Sequence, residues 1–68
     1  MELTKRERQI IGLVSEGLSN KQIARRLSIT DGTVKVHLHH ICEKLQVSNR
    51  TAITAIYLSS GLDKLDHE

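Results

Sequence analysis

Three consecutive pieces of this chain decide its fold: Ser19-Asn20-Lys21-Gln22-Ile23-Ala24-Arg25-Arg26-Leu27, then Ser28-Ile29-Thr30, then Asp31-Gly32-Thr33-Val34-Lys35-Val36-His37-Leu38. Ser19 followed three residues later by Gln22 is the pattern of a capping box, in which two side chains satisfy each other's backbone amides at a helix start. Leu18 and Ile23 flank that cap at the spacing of a hydrophobic staple. Thr30 is the next cap, with Ile29 and Val34 at its staple positions. A short helix over 20–27, a three-residue connection and a longer helix over 31–45 make a helix-turn-helix. Ala24 is small where the two helices must approach, and Val34 is placed to pack against it.

Outward from this centre, Thr4 with Glu7 repeats the capping box and opens a helix over 5–16, with Gly17 as its left-handed stop. Ser48, flanked by Val47 and Ala52, is the expected cap of a helix over 49–60, with Gly61 as its stop. No strand-like alternation, internal repeat or low-complexity segment interrupts the pattern, and proline is absent. The expected fold class is all-α, a compact four-helix bundle containing the helix-turn-helix. Its single domain spans 1–68, with a core over 3–62 and a frayed tail over 63–68.

Sixty-eight residues make one small domain, which buries only about 60% of the surface its unfolded chain exposes. With one Tyr and neither Phe nor Trp, the core has to come from Leu, Ile, Val and Ala. That leaves little material for a catalytic cleft. Cys42 is the sole cysteine, which excludes an internal disulfide and suits a reducing cytoplasm. The longest apolar run is Ala55 to Leu58, so no membrane span and no signal peptide are expected.

The net charge of +2 is unevenly spread. Residues 1–17 are neutral, 18–50 carry +4 and 51–68 carry −2. The basic centre holds Lys21, Arg25, Arg26, Lys35, Lys44 and Arg50 against Asp31 and Glu43. It also holds His37, His39 and His40, a residue type that gains charge readily near neutral pH. Such a distribution points to a polyanionic partner, although clustering on a solvated surface gives the same count.

The 31–45 helix has two opposite faces. At about 100° per residue, Val34, Leu38, Ile41 and Leu45 share one apolar stripe. Gly32, Lys35, Val36, His39, His40 and Glu43 spread over about 140° of the other side. That outer face combines hydrogen-bonding groups, partial positive charge and one exposed valine. The major groove of DNA admits a helix and offers base-edge acceptors and thymine methyls to such a surface. The amides at the helix start, near Gly32 and with the Thr33 hydroxyl, suit a phosphate oxygen. Glu43 reads as a solvated residue and Cys42 as a small hydrophobe at the core edge.

Metal binding and catalysis are disfavoured. His37 with His40, and His39 with Cys42, have helical spacing but face different directions, and no second ligand pair stands at zinc-finger spacing. No Ser or Cys has an evident His and carboxylate partner. The expectation is a non-enzyme with no cofactor, no metal and no small-molecule ligand.

The residues also carry a family resemblance. Leu3-Thr4-Lys5-Arg6-Glu7, Gly17-Leu18-Ser19-Asn20-Lys21-Gln22-Ile23-Ala24, Thr33-Val34-Lys35-Val36-His37-Leu38, Lys44-Leu45 and Arg50-Thr51 resemble the LuxR-type helix-turn-helix family. The Thr-Val-Lys-Val-His stretch is most similar to the NarL-like response-regulator branch. The resemblance covers roughly residues 3–62, with its motifs in order. It implies a four-helix DNA-binding effector domain whose third helix enters the major groove. It also implies that the fourth helix pairs two copies on an inverted-repeat site. Carried over by position, Lys35, Val36 and His39 face bases, while Asn20, Lys21, Thr33 and His37 face phosphates. Arg25, on the helix that spans the backbone, joins the phosphate set by its charge.

Three departures from the family pattern stand out. His39 takes a position where the NarL-like branch tends to have Lys. Gln46 replaces a common Gly, which is expected to alter the turn into the fourth helix. Ile56 and Tyr57 make that helix more apolar than usual, and with Ile53 they are the expected dimer surface.

The sequence therefore reads as the double-stranded-DNA-binding domain of a bacterial transcription regulator. It is expected in the cytoplasm, on the nucleoid, as a homodimer at least on DNA, with RNA polymerase as a candidate further partner. Two alternatives stand beside it. One is a sigma-factor-like promoter-recognition domain; the other is a protein-interaction module without DNA affinity.

Overall fold

The computed structural model describes residues 2–60. Four helices follow one another: α1 (Lys5–Ser15), α2 (Asn20–Leu27), α3 (Asp31–Leu45) and α4 (Arg50–Ser60). Among the described residues there is no strand. The all-α, helix-turn-helix expectation thus holds, with α2 and α3 at their expected bounds and α1 and α4 each one residue shorter. The Gly61 stop and the 63–68 tail lie outside the described residues, as does Met1.

Local chemistry sets the helix starts. Both capping boxes are formed: the Glu7 amide donates to Thr4 Oγ1 at 3.0 Å while Glu7 Oε1 accepts from the Thr4 amide at 2.8 Å. Ser19 and Gln22 make the same exchange at 2.8 and 3.2 Å. Thr30 Oγ1 accepts from the Thr33 amide at 3.1 Å. For α4 the expected cap is corrected. Asn49, not Ser48, supplies it, because Asn49 Oδ1 accepts from the Ala52 amide at 2.9 Å.

The helix ends use left-handed residues. Gly17 takes φ +91°, a region that costs glycine no Cβ clash. With it the Leu18 amide reaches back to the Leu13 carbonyl at 3.2 Å, closing a Schellman motif. Ser28 (φ 59°) ends α2 and Gln46 (φ 58°) ends α3 in the same conformation. The turn that Gln46 was expected to alter is therefore kept, by a non-glycine residue held in the left-handed region.

The core is aliphatic, as its composition required: Ile10, Ile11, Val14, Ile23, Ala24, Val34, Ile41 and Ile53 are buried. α2 packs on α3, with Ala24 and Val34 both in the buried cluster, and α1 packs on α3 and α4. Leu38, Cys42, Leu45 and Tyr57 are partly buried against this cluster. Cys42 thus stands at the core edge, as its apolar neighbours suggested.

Glu7 is the one buried charged residue among those described, and Lys44 reaches it with Nζ–Oε1 at 2.7 Å. Burial alone raises the carboxyl's pKa. Hydrogen bonds from Lys44 and Thr4, with the Lys44 charge, outweigh burial and hold it below the ordinary 4.5. Lys44, counted above in the basic centre, is spent inside the fold.

Candidate nucleic-acid interface

α3 presents the face that its periodicity predicts. Val34 and Ile41 have no exposed surface, whereas Lys35, Val36, His39, His40 and Glu43 are exposed. Val36 is 54% exposed, which leaves its methyl groups open to an apolar contact. The core beneath α3 fixes the direction of this face, since Val34 and Ile41 are buried in the cluster where α3 packs on α1, α2 and α4. His39 Nε2 lies 3.5 Å from Glu43 Oε2 one turn along, a pairing that is ionic only when the imidazole is protonated. With both side chains well exposed, it constrains His39 weakly.

The residues expected near phosphates fall into two groups. Lys21, Arg25 and Thr33 are exposed, while Asn20 and His37 are half-buried. Thr33 stands at the start of α3 with its Oγ1 3.0 Å from Thr30 Oγ1, beside the first-turn amides. At Gly32 an added Cβ would meet only Thr30 Oγ1, at 3.8 Å, so the α3 start is open. Asn20 is not free on its oxygen side: Arg50 Nη1 donates to Asn20 Oδ1 at 2.6 Å and Arg50 Nη2 to the Leu18 carbonyl at 2.8 Å. Sequence reasoning missed this clamp. Arg50 stood in a charge count and in the family resemblance without a role, and no local pattern ties it to residues 30 and 32 positions earlier.

The expected dimer surface needs correcting. Ile53 is fully buried and belongs to the core that joins α4 to the bundle, so it has no surface to offer another molecule. Ile56 and Tyr57 are half-buried, and Tyr57 packs on the core. The exposed stripe of α4 runs through Thr51, Ala55 and Leu58 at helical spacing. Leu58, which closes the apolar run Ala55 to Leu58, is 71% exposed.

Among the described residues no three His, Cys, Asp or Glu side chains converge as a metal site requires. No described helix is long and apolar enough to cross a membrane.

A short capped helix, a tight turn and a longer helix with an exposed, largely polar outward face define a helix-turn-helix domain. The chain belongs to the luxR family of bacterial regulatory proteins, whose GerE profile matches residues 1–57. It is 53% identical over 49 residues to the nitrate/nitrite response regulator protein NarL of Escherichia coli strain K12, covering 72% of this chain and 23% of that protein. It is 47% identical over 57 residues to the transcriptional regulatory protein LnrK of Bacillus subtilis strain 168, covering 84% and 26%. Among solved structures it is similar to the response regulator ChrA of a heme-sensing two-component system. That match has a TM-score of 0.86 at 44% identity and covers 91% of this chain and 31% of the other. The chain thus spans about a quarter of the length of NarL and LnrK. The likeness to NarL agrees with the NarL-like branch that the Thr-Val-Lys-Val-His stretch indicated.

Proposed function

We propose that this domain binds double-stranded DNA sequence-specifically with α3 in the major groove, as the output part of a bacterial response regulator. The observation that carries this reading is the outward face of α3. Lys35, Val36 and His39 stand exposed together on a helix whose opposite side is anchored in the core by the fully buried Val34 and Ile41. In the groove, Lys35 donates to base-edge acceptors, Val36 meets a thymine methyl and His39 reads a neighbouring base edge. Asn20, Lys21, Arg25, Thr33 and His37 hold the sugar-phosphate backbone on either side and set the register. The protein works on the nucleoid, in the cytoplasm.

Two copies pair through α4 on an inverted-repeat site. The contact centres on the Thr51, Ala55 and Leu58 stripe, with Ile56 and Tyr57 at its border. A two-fold axis there sets the recognition helices about one DNA turn apart, which explains a preference for symmetric sites.

Selection of duplexes from a random pool, followed by anisotropy titration across salt concentrations, tests this function. The expected result is a symmetric site, a steep salt dependence, and a loss of affinity and base preference in Lys35→Ala. Unchanged affinity of Lys35→Ala for the selected site would overturn the assignment of the recognition face. Binding to RNA polymerase with an asymmetric site would favour the sigma-factor-like alternative. Capture of a protein partner without any DNA affinity would favour the interaction module.

A further inference from the structure

The Arg50 clamp has a consequence for the DNA-facing side of α2. A guanidinium carries donors only, so the side chain of Asn20 must turn its oxygen toward Arg50 and its NH2 group away. Among the described residues no hydrogen bond to that NH2 group is formed. The second bond, from Arg50 Nη2 to the Leu18 carbonyl at 2.8 Å, fixes the guanidinium to the turn that precedes α2. Two charge-assisted bonds from one planar fork therefore hold the Asn20 amide in one orientation before any ligand arrives.

We infer that Arg50 is a positioning residue for phosphate binding. It aims the Asn20 NH2 group at a DNA phosphate oxygen at the start of α2, beside Lys21, without meeting DNA itself. This rests on the DNA-binding reading of Asn20 given above. A neutral amide that hydrogen-bonds a phosphate releases no condensed counterion, so its contribution is independent of salt, unlike that of a lysine. Arg50 is also the first residue of α4, so the proposed pairing helix and the phosphate contact share one side chain.

The test uses the whole chain and a duplex selected as above, with Asn20→Ala, Arg50→Lys, Arg50→Gln and the Asn20→Ala/Arg50→Lys double variant. Arg50→Lys keeps the charge, but a single ammonium lacks the fork that spans both acceptors. Each single variant is expected to weaken every sequence roughly 3- to 10-fold, the worth of about one hydrogen bond. The salt slope stays unchanged, and the double variant is no weaker than Asn20→Ala. In the free protein, the Asn20 side-chain amide signal of the 15N NMR spectrum shifts and broadens in Arg50→Lys. Thermal melts show which variants remain folded. Additive losses in the double variant, or a slope reduced by about one in Arg50→Gln, would mean that Arg50 acts on its own and would overturn the inference. If Asn20→Ala weakened binding while Arg50→Lys did not, this inference alone would fall. If the unmodified chain bound no duplex, the DNA-binding reading would fall with it.

Discussion

The Glu7 carboxylate and the Lys44 ammonium meet at 2.7 Å, across 37 positions of sequence. The oxygen that receives Lys44 also accepts the Thr4 amide, so one atom closes the α1 capping box and pins the last turn of α3 onto α1. The pair thereby helps fix the angle at which α3 presents Lys35, Val36 and His39.

Because the Glu7 carboxyl is held below its ordinary 4.5 in the folded state, its contribution to stability is present above that value. The contribution is lost as pH falls through the folded value. Replacing Lys44 with Met leaves a buried carboxylate short of a partner and is expected to cost about 1–3 kcal/mol at pH 7. Burial then raises the carboxyl's pKa, so the gap between Lys44→Met and the unmodified protein narrows toward pH 4. Urea unfolding of both proteins across this pH range measures the gap directly.

Gln46 ends α3 at φ 58°, where a Cβ is strained. Glycine relieves that strain but adds freedom to the unfolded chain, so Gln46→Gly is expected to stabilise by a net of about 0.5–1 kcal/mol. Thermal unfolding should place its midpoint above that of the unmodified protein, with DNA affinity unaltered.

Lys21 and Lys35 are both exposed cations, on α2 and α3 respectively, and their loss should look different. Lys21→Ala weakens binding to all duplexes alike and reduces the slope of log K against log salt by about one. Lys35→Ala costs about 1–3 kcal/mol on the selected site and much less on a random duplex. Titrations of both variants with the two duplexes at several salt concentrations separate these patterns.

On α4, Leu58 and Ile53 should part in the same way. Leu58 is mostly exposed, so Leu58→Glu is expected to leave stability within about 0.5 kcal/mol while abolishing cooperative binding to a two-half-site duplex. Ile53 is fully buried, so Ile53→Ala is expected to cost about 2–5 kcal/mol of stability. Chemical denaturation and gel-shift titration on one- and two-half-site duplexes read the two effects.

Much of this architecture is legible in the chain because its signals are short-range. Thr4, Ser19 and Thr30 declare helix starts through bonds to amides three residues away. The outward face of α3 follows from the 3.6-residue period alone. Where two capping residues stand side by side, the pattern is ambiguous. Ser48 and Asn49 both suit a cap, and only the bond to the Ala52 amide selects Asn49. Charge was less legible: of the basic residues at the centre, Lys44 and Arg50 are engaged within the fold, and counting cannot reveal their partners.

The amino-acid order determined four helices, their succession and the side of α3 turned to solvent, since each depends on contacts within about one helical turn. The packed bundle alone decided which cations remain available to a partner and which apolar side of α4 is consumed. Those outcomes rest on meetings between residues such as Glu7 and Lys44 or Asn20 and Arg50. No local periodicity encodes such distant pairs, because only the closing of the core brings them together.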